Sequence, residues 1–225
     1  MHINASAVLQ KNITLVFHHQ INNKELVLGD SVTAPSGETI TIERFKYYVS
    51  NFSVTDTKGK TIRLKDAYFL VDESEPESKK INLSLPDMTI HSINFLLGVD
   101  SIRNVSGIQT GALDPLKGMF WTWNSGYIMA KMEGVSEKVQ QPGHRFTYHI
   151  GGFRHGINTA RMITLTLPQN NQTPDQIFIV ANLNQWFKSV HTISIAKTPV
   201  CHTPGALAMQ FADNYGTMFS ITPIQ

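Results

Sequence analysis

Along most of this chain apolar and polar residues alternate with a period of two. The pattern is clearest in ETITIERF (38–45), FKYYVSNFSVTD (45–56) and TIRLKDAYFLVD (61–72). Such alternation sends every second side chain to one face, which predicts a strand with one buried side. ITLVFHHQI (13–21), KELVLGD (24–30), INLSLP (81–86) and HSINFLLGVD (91–100) read the same way. So do GYIMAKMEG (126–134), RFTYHIGGF (145–153), MITLTLP (162–168), QIFIVANL (176–183) and the closing TMFSITPI (217–224). Turn residues punctuate them: NNK at 22–24, Pro-Ser-Gly at 35–37, a hairpin-forming TKGK at 57–60 and Asn-Ser-Gly at 124–126.

Helical spacing is confined to GALAMQFADNYG (205–216), where Leu207, Ala208, Phe211 and Ala212 recur on one side. LNQWFK (183–188) reads as a single helical turn, and SIRNVSGIQTGALDPLKG (101–118) as a long, ordered loop. Many short strands with turns between them predict an all-β chain. The expected architecture is a β-sandwich with Greek-key-like connections and one short C-terminal helix. There is no internal repeat and no shift in composition, so residues 1–225 read as a single domain.

Composition narrows the function. The chain has 225 residues, of which 41% are hydrophobic, enough for a sizeable core. Only 16% are charged, the net charge is +2, and KGK (58–60) and KK (79–80) are short; phosphate-led nucleic-acid binding is not expected. Cys201 is the single cysteine, which rules out a disulfide within the chain and any CxxC motif. No apolar run reaches transmembrane length. The opening MHINASAVLQ has neither a basic nor an apolar leader segment, so it does not read as a signal peptide.

Nine histidines are the main chemical resource. His18 and His19 are neighbours on a predicted strand, so at most one points inward. His149 and His155 share a face only if Gly151 and Gly152 leave the pleat intact. His91, His191 and His202 flank strands or loops. No HxH or HxxxH pair exists, so a metal centre would have to assemble from distant strands. Met119, Met129 and Met132 surround KGMFWTWNSGY (117–127); packing is the expectation for them, since Met129 and Met132 have opposite strand parity. Trp121 and Trp123 are two apart and share a face on a strand. That face lines a core, a metal site or a glycan site. Asp100 and Asp114 bracket the long loop, with Asn104 and Gln109 between them. They either cap backbone N–H groups, the favoured role, or offer oxygens to calcium. No GxSxG and no phosphate-binding glycine loop occurs, which leaves an enzyme as the third reading.

Several stretches together resemble a known family. FKYYVSNFSV (45–54) with DAYFLVD (66–72) resembles its N-terminal signature. LLGVDSIRN (96–104), TGALDPLKGMFWTWNSGYIMAKMEG (110–134) and YHIGGF (148–153) resemble its central one, and ADNYGTMFSI (212–221) fits its C-terminal part. The chain is similar to the MbnP-like copper-binding proteins, found beside di-haem MbnH-type partners and related to the surface copper proteins MopE and CorA. The resemblance implies an exported, periplasmic or cell-surface protein of mainly β structure. In relatives, copper sits near imidazoles and a kynurenine made from tryptophan. The Trp-x-His arrangement of those relatives is absent here: Trp121 precedes Thr122-Trp123, and Trp123 precedes Asn124-Ser125.

The leading expectation is therefore an exported, non-enzymatic copper-binding protein acting with a di-haem partner. His149, in YHIGGF, is the first ligand candidate, and His18 and His155 follow. Trp121 and Trp123 line the site or are modified there. The alternative is an extracytoplasmic module binding glycan or peptide, with a structural calcium at Asp100 and Asp114.

Overall fold

The computed structural model describes residues 10–123, 126–168 and 172–222. The expected turn residues Asn124 and Ser125, and the first nine residues, lie outside that set. The chain folds as an all-β sandwich of two sheets. The smaller is built on Gln10–Ile21, flanked by Lys80–Pro86 and Lys24–Glu25 on one side and by Gln176–Asn182, then Phe219–Ile221, on the other. The larger runs in the order Arg161–Thr166, Ile90–Leu97, Thr39–Asp56, Gly126–Val135, Arg145–Gly151, Val200–Cys201. Thr61–Arg63 and Tyr68–Asp72 also pair back on Thr39–Asp56, as the TKGK turn predicts.

Two pairings are parallel and join strands far apart in sequence. Gln10–Ile21 runs beside Gln176–Asn182, and Thr147–Tyr148 beside Val200–Cys201. Parallel neighbours need long connections and have no hairpin signature, so alternation alone does not announce them.

Alternating side chains of both sheets meet in one core. Ile13, Leu15 and Phe17 of the small sheet face Ile42, Phe45, Tyr47, Phe95 and Tyr148 of the large one. The helix Ala206–Tyr215 closes one end, packing Phe211 and Tyr215 on Trp186 of the short helix Asn184–Phe187. Both helices fall where the helical spacing predicts. A third helical segment does not: Ser101–Val105 is a helix, followed by 3-10 turns at Gly111–Leu113 and Pro115–Lys117. The 101–118 excursion is therefore a run of capped turns laid over the outer face of the large sheet. Beneath it a second apolar cluster forms from Tyr48, Val99, Leu113, Met119, Trp121, Tyr127, Ile128 and Met129.

One polar node lies inside the sandwich. His19 points inward, fully buried, while His18 points out. Burial lowers the His19 pKa despite its Glu73 partner, so the ring is neutral. Its Nδ1–H donates to the Glu73 carboxylate, which Lys79 also contacts at 3.1 Å. Nε2 is then the acceptor for the Tyr47 hydroxyl at 2.9 Å. A buried polar group left without its partner costs free energy. Replacing His19 by Leu takes the partner from the Tyr47 hydroxyl and leaves Glu73 to Lys79. The expected loss is about 2–4 kcal/mol in urea denaturation; a change below about 0.5 kcal/mol would show that the node carries no stability.

Candidate metal centre

The candidate centre is built on the outer face of the large sheet. In the hairpin of Gly126–Val135 with Arg145–Gly151, Lys131 opposes His149 and Glu133 opposes Thr147. On its other side the first of these strands sets Lys131 against Lys46 and Glu133 against Arg44. Ala130, Met132, Tyr148 and Ile150 go to the core, so the alternate residues Lys131, Glu133, Thr147 and His149 go outward.

There they form a charged network. His149 donates from Nε2 to Glu133 Oε1 at 2.6 Å, and Arg44 donates to Glu133 Oε2 at 2.7 Å. The Lys131 ammonium lies 3.8 Å from Glu133 and donates to the Gly118 carbonyl at 2.6 Å. The Glu133 side chain is only 9% exposed. Its carboxyl is nevertheless held down at about 2, chiefly by the His149 hydrogen bond, with Arg44 and Lys131 adding to it against the opposing effect of burial.

A second imidazole arrives from the far end of the chain. The parallel pairing of Val200–Cys201 with Thr147–Tyr148 carries His202 alongside His149. The two rings stack with centroids 4.3 Å apart and planes 26° from parallel. Nε2 of His202 is buried and has no hydrogen-bond partner among the described residues. Burial, and then the neighbouring His149, lower the His202 pKa, which favours the neutral ring. Buried polar atoms are nearly always partnered, so this orphaned nitrogen needs an explanation.

The tryptophan segment closes over the same strand. Only Phe120–Trp121 is a strand, paired with Gly126–Tyr127. Trp121 is 5% exposed, while Trp123 is 62% exposed. Their rings still touch, with centroids 5.4 Å apart. Trp121 lies directly on Gly151, where an added Cβ would sit 2.7 Å from its six-membered ring. Gly151 has the same strand parity as His149, which places Trp121 one pleat along from the imidazole. Gly152, at φ +137°, is crowded by the Ile157 carbonyl and by Pro204, two residues past His202. The glycine pair thus admits both the tryptophan and the 201–204 segment.

The family model for MbnP matches residues 10–203. This chain belongs to the MbnP family. The MbnP structure from Methylosinus trichosporium has the same fold, with a TM-score of 0.60 at 15% sequence identity, covering 89% of this chain and 84% of that one. No curated protein gives a significant match. Of the stretches that carry the resemblance, only ADNYGTMFSI lies beyond the matched range.

Among the candidate residues of this MbnP-family chain, the structure joins His149 to a neighbour that the sequence did not single out. His18 is in the other sheet, facing outward beside Glu25 and Phe178. His155 is exposed in the turn beyond Gly152, because the glycines end the strand. Neither approaches His149. Met119 and Met129 are buried in the outer cluster and Met132 in the main core. Asp100 caps Ser101–Val105, accepting from Arg103 N at 3.0 Å and from the Tyr68 hydroxyl; Asp114 caps the next turn, accepting from Leu116 N at 2.9 Å. Both carboxylates cap backbone, and on separate turns. Sequence reasoning missed His202 and Glu133. Glu133 was legible in part: AKME alternates, which puts Lys131 and Glu133 on one polar face.

Among the described residues no three His, Cys, Asp or Glu side chains gather as a metal-holding group. What gathers is two imidazoles, one of them backed by a carboxylate. Imidazole suits copper, and a ligating histidine commonly donates its other N–H to a carboxylate. Two imidazoles are suitable copper donors in kind; stacked with planes 26° from parallel, one ring must turn before both lone pairs reach one ion.

Two outcomes follow from this packing. Gly151→Ala should displace Trp121 and cost about 1–3 kcal/mol, with a changed tryptophan emission spectrum; unchanged emission and stability would contradict the close approach. The depressed Glu133 pKa contributes stability that is complete above the ordinary carboxylate value of 4.5 and lost as pH falls toward 2. Wild type should therefore lose roughly 2–3 kcal/mol more than Glu133→Gln across that window. Parallel acid profiles for the two proteins would contradict it.

Proposed function

We propose that this MbnP-family protein binds copper, with His149 and His202 as its side-chain donors at one centre beside Trp121, and that it is not an enzyme. The observation that carries the reading is the buried, unpartnered Nε2 of His202 stacked against His149. A neutral imidazole with a free lone pair is what a metal takes up. When bound, copper would supply a redox-active or electrophilic ion. The chain's own residues hold it: His202 offers Nε2, and His149, with Nε2 spent on Glu133, offers Nδ1. Trp121, packed on Gly151, lies one pleat along from His149. Remaining coordination positions fall to water, an external ligand or an oxidised tryptophan.

Export and a di-haem MbnH-type partner belong to the same reading and rest on the family resemblance. The glycan alternative gains nothing here, since a stacking platform needs two exposed aromatic faces and Trp121 is buried. The calcium alternative loses its motive, since the oxygens of Asp100 and Asp114 already serve as caps.

Copper titration tests the reading. Wild type should take up one copper per chain, and His149→Ala and His202→Ala should each weaken binding by more than about 100-fold. His18→Ala and His155→Ala should bind as wild type does. No copper uptake by wild type would remove the function. Unchanged uptake by both His149→Ala and His202→Ala would remove the site.

A further inference from the structure

We infer that Glu133 is a positioning residue for the candidate centre: held from behind by Arg44 and Lys131, it fixes the tautomer of His149 and so dictates which ring nitrogen is offered to a ligand. The inference rests on the copper reading for its consequence, but the lock itself is a property of the chain alone.

The geometry is unambiguous about roles. An ionised carboxylate has no proton to give, so the 2.6 Å contact must be an Nε2–H of His149 donating to Glu133 Oε1. The other carboxylate oxygen is tied to Arg44 at 2.7 Å, and Lys131 stands 3.8 Å from Oε1. Arg44 is opposite Glu133 on the neighbouring strand and Lys131 is two residues before it on its own strand. All three anchors are therefore strand residues whose relative places the sheet ladder sets. With Nε2 committed as a donor, a neutral His149 carries its lone pair on Nδ1. Without Glu133 no acceptor in this network holds the proton on Nε2, and the ring reverts to its weaker intrinsic preference.

A merely structural glutamate would also destabilise the protein when removed, so stability is not the readout. The discriminating measurement is the tautomer of His149, read from its ring nitrogens by NMR in the copper-free protein at mildly alkaline pH, together with copper affinity. In wild type one tautomer, with the proton on Nε2, should dominate. Glu133→Ala should give a mixture, and Glu133→Gln, whose single amide oxygen is contested by Arg44, should not hold the proton on Nε2 as the carboxylate does. Copper affinity should fall by about 10–100-fold in Glu133→Ala. An unchanged single tautomer in Glu133→Ala overturns the inference whether or not copper binds. Copper stoichiometry lost in Glu133→Ala with the tautomer unchanged would make Glu133 a ligand and likewise overturn it. A wild type with the single tautomer and no copper affinity would leave the lock standing and fail only the proposed function.

Discussion

The candidate centre depends on two missing side chains. Gly151 and Gly152 lie at the end of a strand whose other residues are bulky, and each is crowded by something a Cβ would displace. At Gly151 it is the ring of Trp121, and at Gly152 it is the Ile157 backbone and Pro204. A Cβ at Gly151 would press on Trp121 and the Tyr127 carbonyl, and one at Gly152 chiefly on the Ile157 carbonyl, with Pro204 3.2 Å away. Close approach of backbone is a standard use of glycine, but here it serves two segments at once. They come from opposite sides of the sequence, eighty residues apart. The strand that carries His149 thus recruits both its neighbours through what it lacks.

The second constraint is that the large sheet is covered on both faces. Its inner face packs against the smaller sheet, and its outer face holds the cluster of Tyr48, Met129, Tyr127 and Trp121 under the capped 101–118 excursion. Next to that cluster on the same face are Arg44, Lys46, Lys131, Glu133 and His149. The imidazole pair sits at the border between dry and charged surface. Burial there lowers the His202 pKa, which favours the neutral ring, while the hydrogen bond from His149 lowers that of Glu133. An environment that holds one group uncharged and its neighbour charged is characteristic of functional sites.

Much of this was readable from local pattern. Period-two alternation located the strands, the TKGK turn a hairpin, and the spacing of Ala208, Phe211 and Ala212 the closing helix. The glycines of YHIGGF pointed to a close approach, and Gly151 and Gly152 each make one. What failed was whatever depends on partners far away in sequence. His202 follows a two-residue strand whose parallel pairing leaves no hairpin signal. His18 has the right residue type and the wrong sheet, since parity says which way a side chain points but not which strands adjoin. His155 fell away because Gly152 adopts a positive φ and ends the pleat. Trp121 and Trp123 differ in burial, since the strand ends at Trp121, although their rings remain in contact. The helix Ser101–Val105 was missed although Asp100 is a good N-cap, since five residues carry too little periodicity to register.

The central claim is that His149 and His202 meet at a single copper ion. Pulsed electron paramagnetic resonance of the Cu(II)-loaded protein tests it most directly, because remote imidazole nitrogens modulate the signal one ring at a time. The account predicts two inequivalent imidazoles on one copper in wild type, reduced to one in His202→Ala. A spectrum with a single imidazole in wild type, or with two that persist in His202→Ala, would contradict it.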